Sequence, residues 1–306
     1  MRGVTSSPDA HRTICVDGEL DLAGTMAPLR RGAGDPCMRL ASGEVWRATR
    51  TPDGATTARL RHRAGRVDVE AWGPGAAWAC EHAAAWAGLH DDDSGFDPVT
   101  PLLRDLWRRH RGTRTCRSGA VAEALVPTIL EQKVVGAEAR ASWRALVRSL
   151  GEPAPGPAPL MLPPTAETLA ATPTWTFHRA DVERRRADTI VGAMQRSRWL
   201  DEGATLPLAD AYERLVSLPG IGAWTAAEVA AIALGDADAV SVGDFHLKNV
   251  VAWAFLGERR GTDEQMLELL EPWSGHQLRV IRLLVRGVGH APRRAPRARR
   301  RAIAGY

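Results

Sequence analysis

Lysine is almost missing from this chain. Of its 306 residues, 40 are lysine or arginine, yet only Lys133 and Lys248 are lysines. A GC-rich coding bias accounts for the arginines without invoking a function. Cysteine is sparse as well: Cys15, Cys37, Cys80 and Cys116 are widely separated, and no two form a C-x-x-C pair. That spacing argues against a zinc ribbon or a disulfide framework. It leaves no four-cysteine cluster near the C-terminus to hold iron–sulfur, so isolated and mostly buried thiols are expected. No segment approaches the roughly 20 apolar residues that span a bilayer. Residues 1–8 have no apolar stretch of the kind a signal peptide carries, and a cytoplasmic location is expected.

What is present is ordinary for a globular protein, with 44% hydrophobic and 25% charged residues. The length suits two or three domains with a substantial core. Charge is unevenly spread. The net charge is +4, but residues 291–306 carry six arginines (293, 294, 297, 299, 300 and 301) and no acid. Removing those six charges from +4 leaves residues 1–290 at −2. Affinity for an anionic polymer must therefore come from local patches, helix termini and this basic tail, which is expected to be disordered.

The chain divides into three parts. Residues 1–95 read as a small α+β domain, with strand-like alternation over 12–22, 38–49, 56–62 and 66–71 and a helix over 76–89. Residues 96–290 read as helical throughout. Helices are expected over 102–110, 118–132 (capped by Ser118 and kinked at Pro127), 137–150, 166–172, 182–195, 209–217, 223–234, 245–255, 263–270 and 276–285. Six prolines over 152–164 mark an extended connector. The lack of β-α-β alternation after residue 98 argues against a doubly wound nucleotide fold. The class is α+β, dominated by helices.

The most specific string is Leu218-Pro219-Gly220-Ile221-Gly222-Ala223-Trp224-Thr225, inside the helical hairpin over about 209–234. Gly220 and Gly222 can take backbone angles closed to other residues and admit a ligand close to the main chain. The helix starting at Ala223 offers its free amides and positive dipole end, where a phosphate fits. Leu218 and Ile221 can pin the hairpin to the core, and the Thr225 hydroxyl is placed to add a phosphate contact. Downstream, Val242-Gly243-Asp244-Phe245-His246 puts Asp244 at a helix start. Taken alone, the hairpin is an αα-turn and Asp244 an N-cap.

Together the two resemble the helix-hairpin-helix DNA glycosylase superfamily, in which the hairpin is followed about twenty residues later by a Gly/Pro-rich loop and an aspartate. The segment Ile129-Leu130-Glu131-Gln132-Lys133-Val134-Val135 is similar to the family's I-L-x-Q-Q-V-S loop, which probes the gap left by an everted base. A sheet domain followed by helices looks like the bacterial alkylation-repair branch, the 3-methyladenine DNA glycosylases II. The resemblance implies a nucleoid-associated base-excision repair enzyme, monomeric, acting on double-stranded DNA with damaged bases. It also implies no metal or cofactor in catalysis, although a structural monovalent cation can sit at the hairpin when DNA is bound.

The resemblance assigns roles residue by residue. Asp244 becomes the catalytic carboxylate, stabilising positive charge that develops on the deoxyribose as the base leaves. Members that also cleave the strand carry a lysine where Trp224 stands, and an indole cannot form a Schiff base. A hydrolase without lyase activity follows. Trp224 and Phe245 match aromatic pocket positions, suited to cationic alkylated purines such as 3-methyladenine or 7-methylguanine. Glu228 and Arg282 replace expected pocket aromatics, and either contact the base or pair with each other. Gln132, Lys133, Gly220, Ile221, Gly222, Thr225 and Lys248 are the DNA-contacting candidates, with Gln132 filling the gap. His246 is a weaker candidate of the same kind. Two alternatives stay open: a glycosylase for oxidised or mismatched bases, and a non-catalytic DNA-binding protein.

Overall fold

The computed structural model describes residues 7–289; the basic tail over 291–306 lies outside the described residues. The chain opens with β1 (Ala10–Cys15). Asp21 then caps α1 (Leu22–Met26), its carboxylate accepting from the Gly24 amide at 2.8 Å. Four strands follow: β2 (Met38–Ala41), β3 (Glu44–Thr51), β4 (Gly54–Arg63) and β5 (Arg66–Trp72). They form one antiparallel sheet in the order β1-β5-β4-β3-β2. The run over 12–22 is thus not a single strand. The run over 38–49 is a hairpin that turns at Gly43, whose φ of 67° favours glycine. Alternating Val45, Ala58, Leu60, Val67 and Val69 pack with Ala79, Ala83 and Trp86 of α2 (Ala76–Trp86).

Helices make up the rest. Thr100 caps α3 (Pro101–Arg109) through the Leu103 amide at 3.1 Å. Next come α4 (Val121–Leu130) and α5 (Gly136–Leu150). Ser118 is not the side-chain cap of α4. It is buried and accepts from the Ala120 amide at 3.3 Å, whereas Asp201 takes the Ala122 amide at 2.9 Å. A partner distant in sequence has displaced the local one. The proline-rich connector is extended, with a minimal pair formed by β6 (Glu152–Pro153) and β7 (Met161–Leu162). Leu160 and Leu162 pack there against Ala48 of β3.

The remaining helices are α6 (Ala166–Ala171), α7 (Thr174–Arg179), α8 (Arg184–Met194), α9 (Ser197–Glu202), α10 (Leu208–Val216) and α11 (Ala223–Val229). A π-helical turn, Ala230–Leu234, prolongs α11. The chain ends in α12 (Leu247–Leu256), α13 (Asp263–Leu270) and α14 (Gln277–Gly287). Two helical cores result. In one, Leu125 and Ile129 of α4 meet Leu146 of α5, Ile190 of α8 and Val229 of α11. In the other, Leu103 and Leu106 of α3 meet Val251 of α12, Leu270 of α13 and Leu284 of α14. Each such buried side chain contributes roughly 1.5–3 kcal/mol. The α10–α11 hairpin belongs to the first core and α12 to the second, so the loop bearing Asp244 crosses between them. Among the described residues, no helix is long and apolar enough to cross a membrane.

Candidate active site at the hairpin

Between α10 and α11 the chain turns within a few residues. The Ile221 amide donates to the Leu218 carbonyl at 3.1 Å, and both side chains are buried, pinning the turn to the core. Gly220 has φ of 85° and no room for a side chain: a Cβ there would meet the Thr189 hydroxyl at 2.5 Å. Gly222 is extended and precedes Ala223, the first residue of α11; both are exposed. The first amides of α11 lack helical acceptors and open onto this exposed end, which makes it suited to an anion.

The segment over 129–135 is tied to this hairpin by one side chain. Gln132 Nε2 donates to the Gly220 carbonyl at 3.0 Å and to the Thr225 hydroxyl at 2.9 Å. Thr225 is therefore not a phosphate contact: it is 2% exposed and faces Gln132 inside the molecule. The Gln132 amide group is likewise engaged with the hairpin. Lys133, next in sequence, is exposed and left-handed at φ 57°. Glu131, on the other side, lies 3.7 Å from Arg31, which comes from the loop following α1.

Asp244 is gripped by both elements it joins. Its Oδ1 accepts from the amides of His246 and Leu247, each at 2.7 Å. Oδ2 accepts from the Trp224 indole N–H at 3.2 Å. The N-cap position of α12 is His246, not Asp244, and the Asp244 carboxylate holds the two amides at the entry to that helix while its other oxygen stays on the hairpin side. Four residues along α11 from Trp224, Glu228 shares its face and accepts a short hydrogen bond from the Ser241 hydroxyl. Burial pushes the Glu228 carboxyl up from the usual carboxylate range, and the nearby Glu131 and Asp244 push it the same way. Trp224 and Glu228 therefore fasten α11 to the loop over 241–244. From the other side, Asp263 accepts from the Gly243 amide and from Lys248 Nζ, both at 3.0 Å.

Three expectations change with this geometry. Lys248 is half-buried in its ion pair with Asp263, so it steadies the Asp244 loop and is not free for phosphate. Glu228 and Arg282 do not pair: Glu228 is held by Ser241, while Arg282 donates to the Ala231 carbonyl at 3.1 Å. Arg282 lines a different cavity, which includes neither Trp224 nor Asp244. Phe245 stands 77% exposed, edge-on to His246 with ring centroids 5.0 Å apart, and forms no closed wall with Trp224. Sequence reasoning missed Arg31, Ser241 and Asp263. Ser241 lies one residue before the Val242–His246 string, while Arg31 has no local signal because its partner is 100 positions away. Among the described residues, no group of three His, Cys, Asp or Glu side chains is placed to hold a metal ion.

No protein-family model matches the chain, and no curated protein matches it in sequence. Its structure is similar to 3-methyladenine DNA glycosylase from Archaeoglobus fulgidus, at a TM-score of 0.77 and 20% identity over 90% of this chain and 97% of that one. It is similar to 8-oxoguanine glycosylase/lyase from Clostridium acetobutylicum in complex with double-stranded DNA, at a TM-score of 0.66 and 12% identity over 92% and 99%. The 3-methyladenine DNA glycosylase of Schizosaccharomyces pombe, in complex with abasic DNA, gives a TM-score of 0.54 and 15% identity over 63% and 96%. The chain has the α+β fold of the helix-hairpin-helix DNA glycosylases.

Proposed function

We propose that this protein is a monofunctional DNA glycosylase that releases alkylated purines from double-stranded DNA and leaves an abasic site. One observation carries the reading: the Asp244 carboxylate is fixed by three donors at the joint between the α10–α11 hairpin and α12. In the proposed reaction the bond between C1′ and the base nitrogen breaks, and its electron pair leaves with the base. Positive charge then spreads over C1′ and the ring oxygen, where a preorganised carboxylate stabilises it. A water, oriented by Asp244 Oδ2, attacks C1′ and passes its proton to that carboxylate, which returns it to solvent. Alkylated purines carry their own positive charge, so the leaving group needs no further activation. Trp224 supplies an aromatic face and, having no amine, no Schiff base. Eversion of the base would bring it to this face.

A second reading has its own support. Glu228 is a buried carboxyl held toward its protonated form. A protonated carboxyl offers a donor as well as an acceptor, which suits the edge of a neutral oxidised purine better than a cation. The distinguishing experiment identifies released bases by mass spectrometry. The main reading expects 3-methyladenine and 7-methylguanine from methylated DNA. Release of 8-oxoguanine alone from oxidised DNA would install the second reading, and release of no base from either substrate would leave a DNA-binding protein.

A further inference from the structure

Beside the hairpin, α8 carries an arginine that the fold itself does not use. Thr189 of α8 fills the space over Gly220, where a Cβ would meet its hydroxyl at 2.5 Å. That hydroxyl donates to the Arg185 carbonyl at 2.9 Å, one turn back along the helix. Arg185 and Thr189 therefore share a face of α8, and that face borders the hairpin. Arg186, the next residue, is buried and donates to the Leu130 carbonyl at 2.8 Å, at the end of α4. The exposed Lys133 follows three residues after that carbonyl. The start of α8 is thus fastened both to the hairpin and to the segment over 129–135.

The three consecutive arginines of this turn have different fates. Arg184 lies 3.7 Å from Asp188, and Arg186 holds the end of α4. Arg185 is exposed; among the described residues, no carboxylate lies within ion-pair distance of it and no hydrogen bond engages its guanidinium. A cation in the first turn of a helix also opposes the helix dipole, so Arg185 does nothing to stabilise α8. Its charge is left over, on the side of α8 that meets the hairpin.

We infer that Arg185 binds the DNA phosphate next to the one seated at the start of α11, extending the hold on one strand by a nucleotide or two. The inference rests on the proposed function only in taking DNA as the ligand. A helical turn is about 5.4 Å long, and phosphates on one strand recur about every 3.4 Å along the duplex axis. A guanidinium one turn from Thr189 therefore meets a neighbouring phosphate and does not compete for the one at the hairpin. Its planar fork and permanent charge match a phosphate. Such a contact carries no sequence information and fixes the register of the strand. Arg185 is in this sense a positioning residue, setting where along the strand the Asp244 carboxylate comes to lie.

The test is the salt dependence of binding to an undamaged duplex, followed by fluorescence anisotropy between about 50 and 200 mM potassium chloride. Each phosphate contact adds about 0.9 to the slope of log affinity against log salt. Arg185→Gln should lower the slope by about that amount and weaken binding to damaged and undamaged duplexes by the same factor. Arg185→Lys keeps the charge and should keep most of the slope. The thermal unfolding midpoint of Arg185→Gln should not fall below that of wild type, which separates a lost contact from a damaged fold. An unchanged slope in Arg185→Gln, with wild type binding the duplex, would overturn the assignment. A lowered slope, together with a wild-type chain that releases no base, would overturn the glycosylase reading and uphold Arg185 as a phosphate ligand. A wild-type chain that binds no duplex would overturn both.

Discussion

At Asp244 the two carboxylate oxygens have different duties. Oδ1 holds the start of α12 through two backbone amides, and Oδ2 faces the hairpin with, among the described residues, the Trp224 indole on it. Asparagine can keep the first duty, because its carbonyl oxygen accepts the same two amides, but it carries no charge for the second. Glu228 offers a separate test at the same scale. Its carboxyl is raised above 4.5, the value an unfolded chain would show, so the folded state binds the proton more tightly. That contribution to stability is fully present at and below about pH 4.5 and is lost as pH rises through the folded value. Glu228→Gln keeps an acceptor for Ser241 and has no proton to lose. Urea unfolding across a pH series should show wild type losing stability relative to Glu228→Gln as pH rises from 4.5. Parallel curves would refute the shift.

The hairpin was legible in the sequence because its determinants are local: two apolar pins, a glycine that must be left-handed, and a second glycine at the helix start. The position of Asp244 at the entry to α12 was legible for the same reason. The roles of Thr225 and Lys248 were not. Whether a hydroxyl in the first turn of a helix points outward depends on what packs over it, and Gln132, 93 positions earlier, takes that face. Lys248 was likewise claimed by an acid from another helix, Asp263. Gly220→Ala tests the element directly. The substitution forces a side chain into a left-handed position and against Thr189. It should lower stability by roughly 1–3 kcal/mol and weaken DNA binding measured by fluorescence anisotropy, through the distorted grip. Undiminished affinity would show that this turn does not hold the phosphate.

Across the whole molecule, the sheet domain is coupled to the helices by charge as well as by apolar packing. Arg47 of β3, 4% exposed, lies 3.0 Å from Glu123 of α4, and Thr49 donates to the same carboxylate at 2.5 Å. The Arg47 guanidinium also lies over the Trp86 ring, 4.5 Å from its centroid. From the same domain Arg31 reaches Glu131, beside Gln132, which ties its segment to the hairpin. None of this was visible in sequence, because the partners lie 76 and 100 positions apart with no periodic pattern to join them. The α+β class and the order of sheet before helices were visible, because alternation and helical spacing are read within a dozen residues. Glu123→Ala would strand the buried Arg47 charge. It should lower stability by about 2–4 kcal/mol in urea unfolding, near the lower end for a broken buried pair because Glu123 is partly exposed. A loss below about 0.5 kcal/mol, as for a surface pair, would contradict this coupling.

The central claim is that Asp244 provides the charge that drives base release, and single-turnover release from methylated DNA by Asp244→Asn tests it most directly. With DNA affinity measured alongside, the expected result is binding within a few-fold of wild type and a base-release rate lowered by about 10²–10³. Base release at the wild-type rate, with binding intact, would contradict the account.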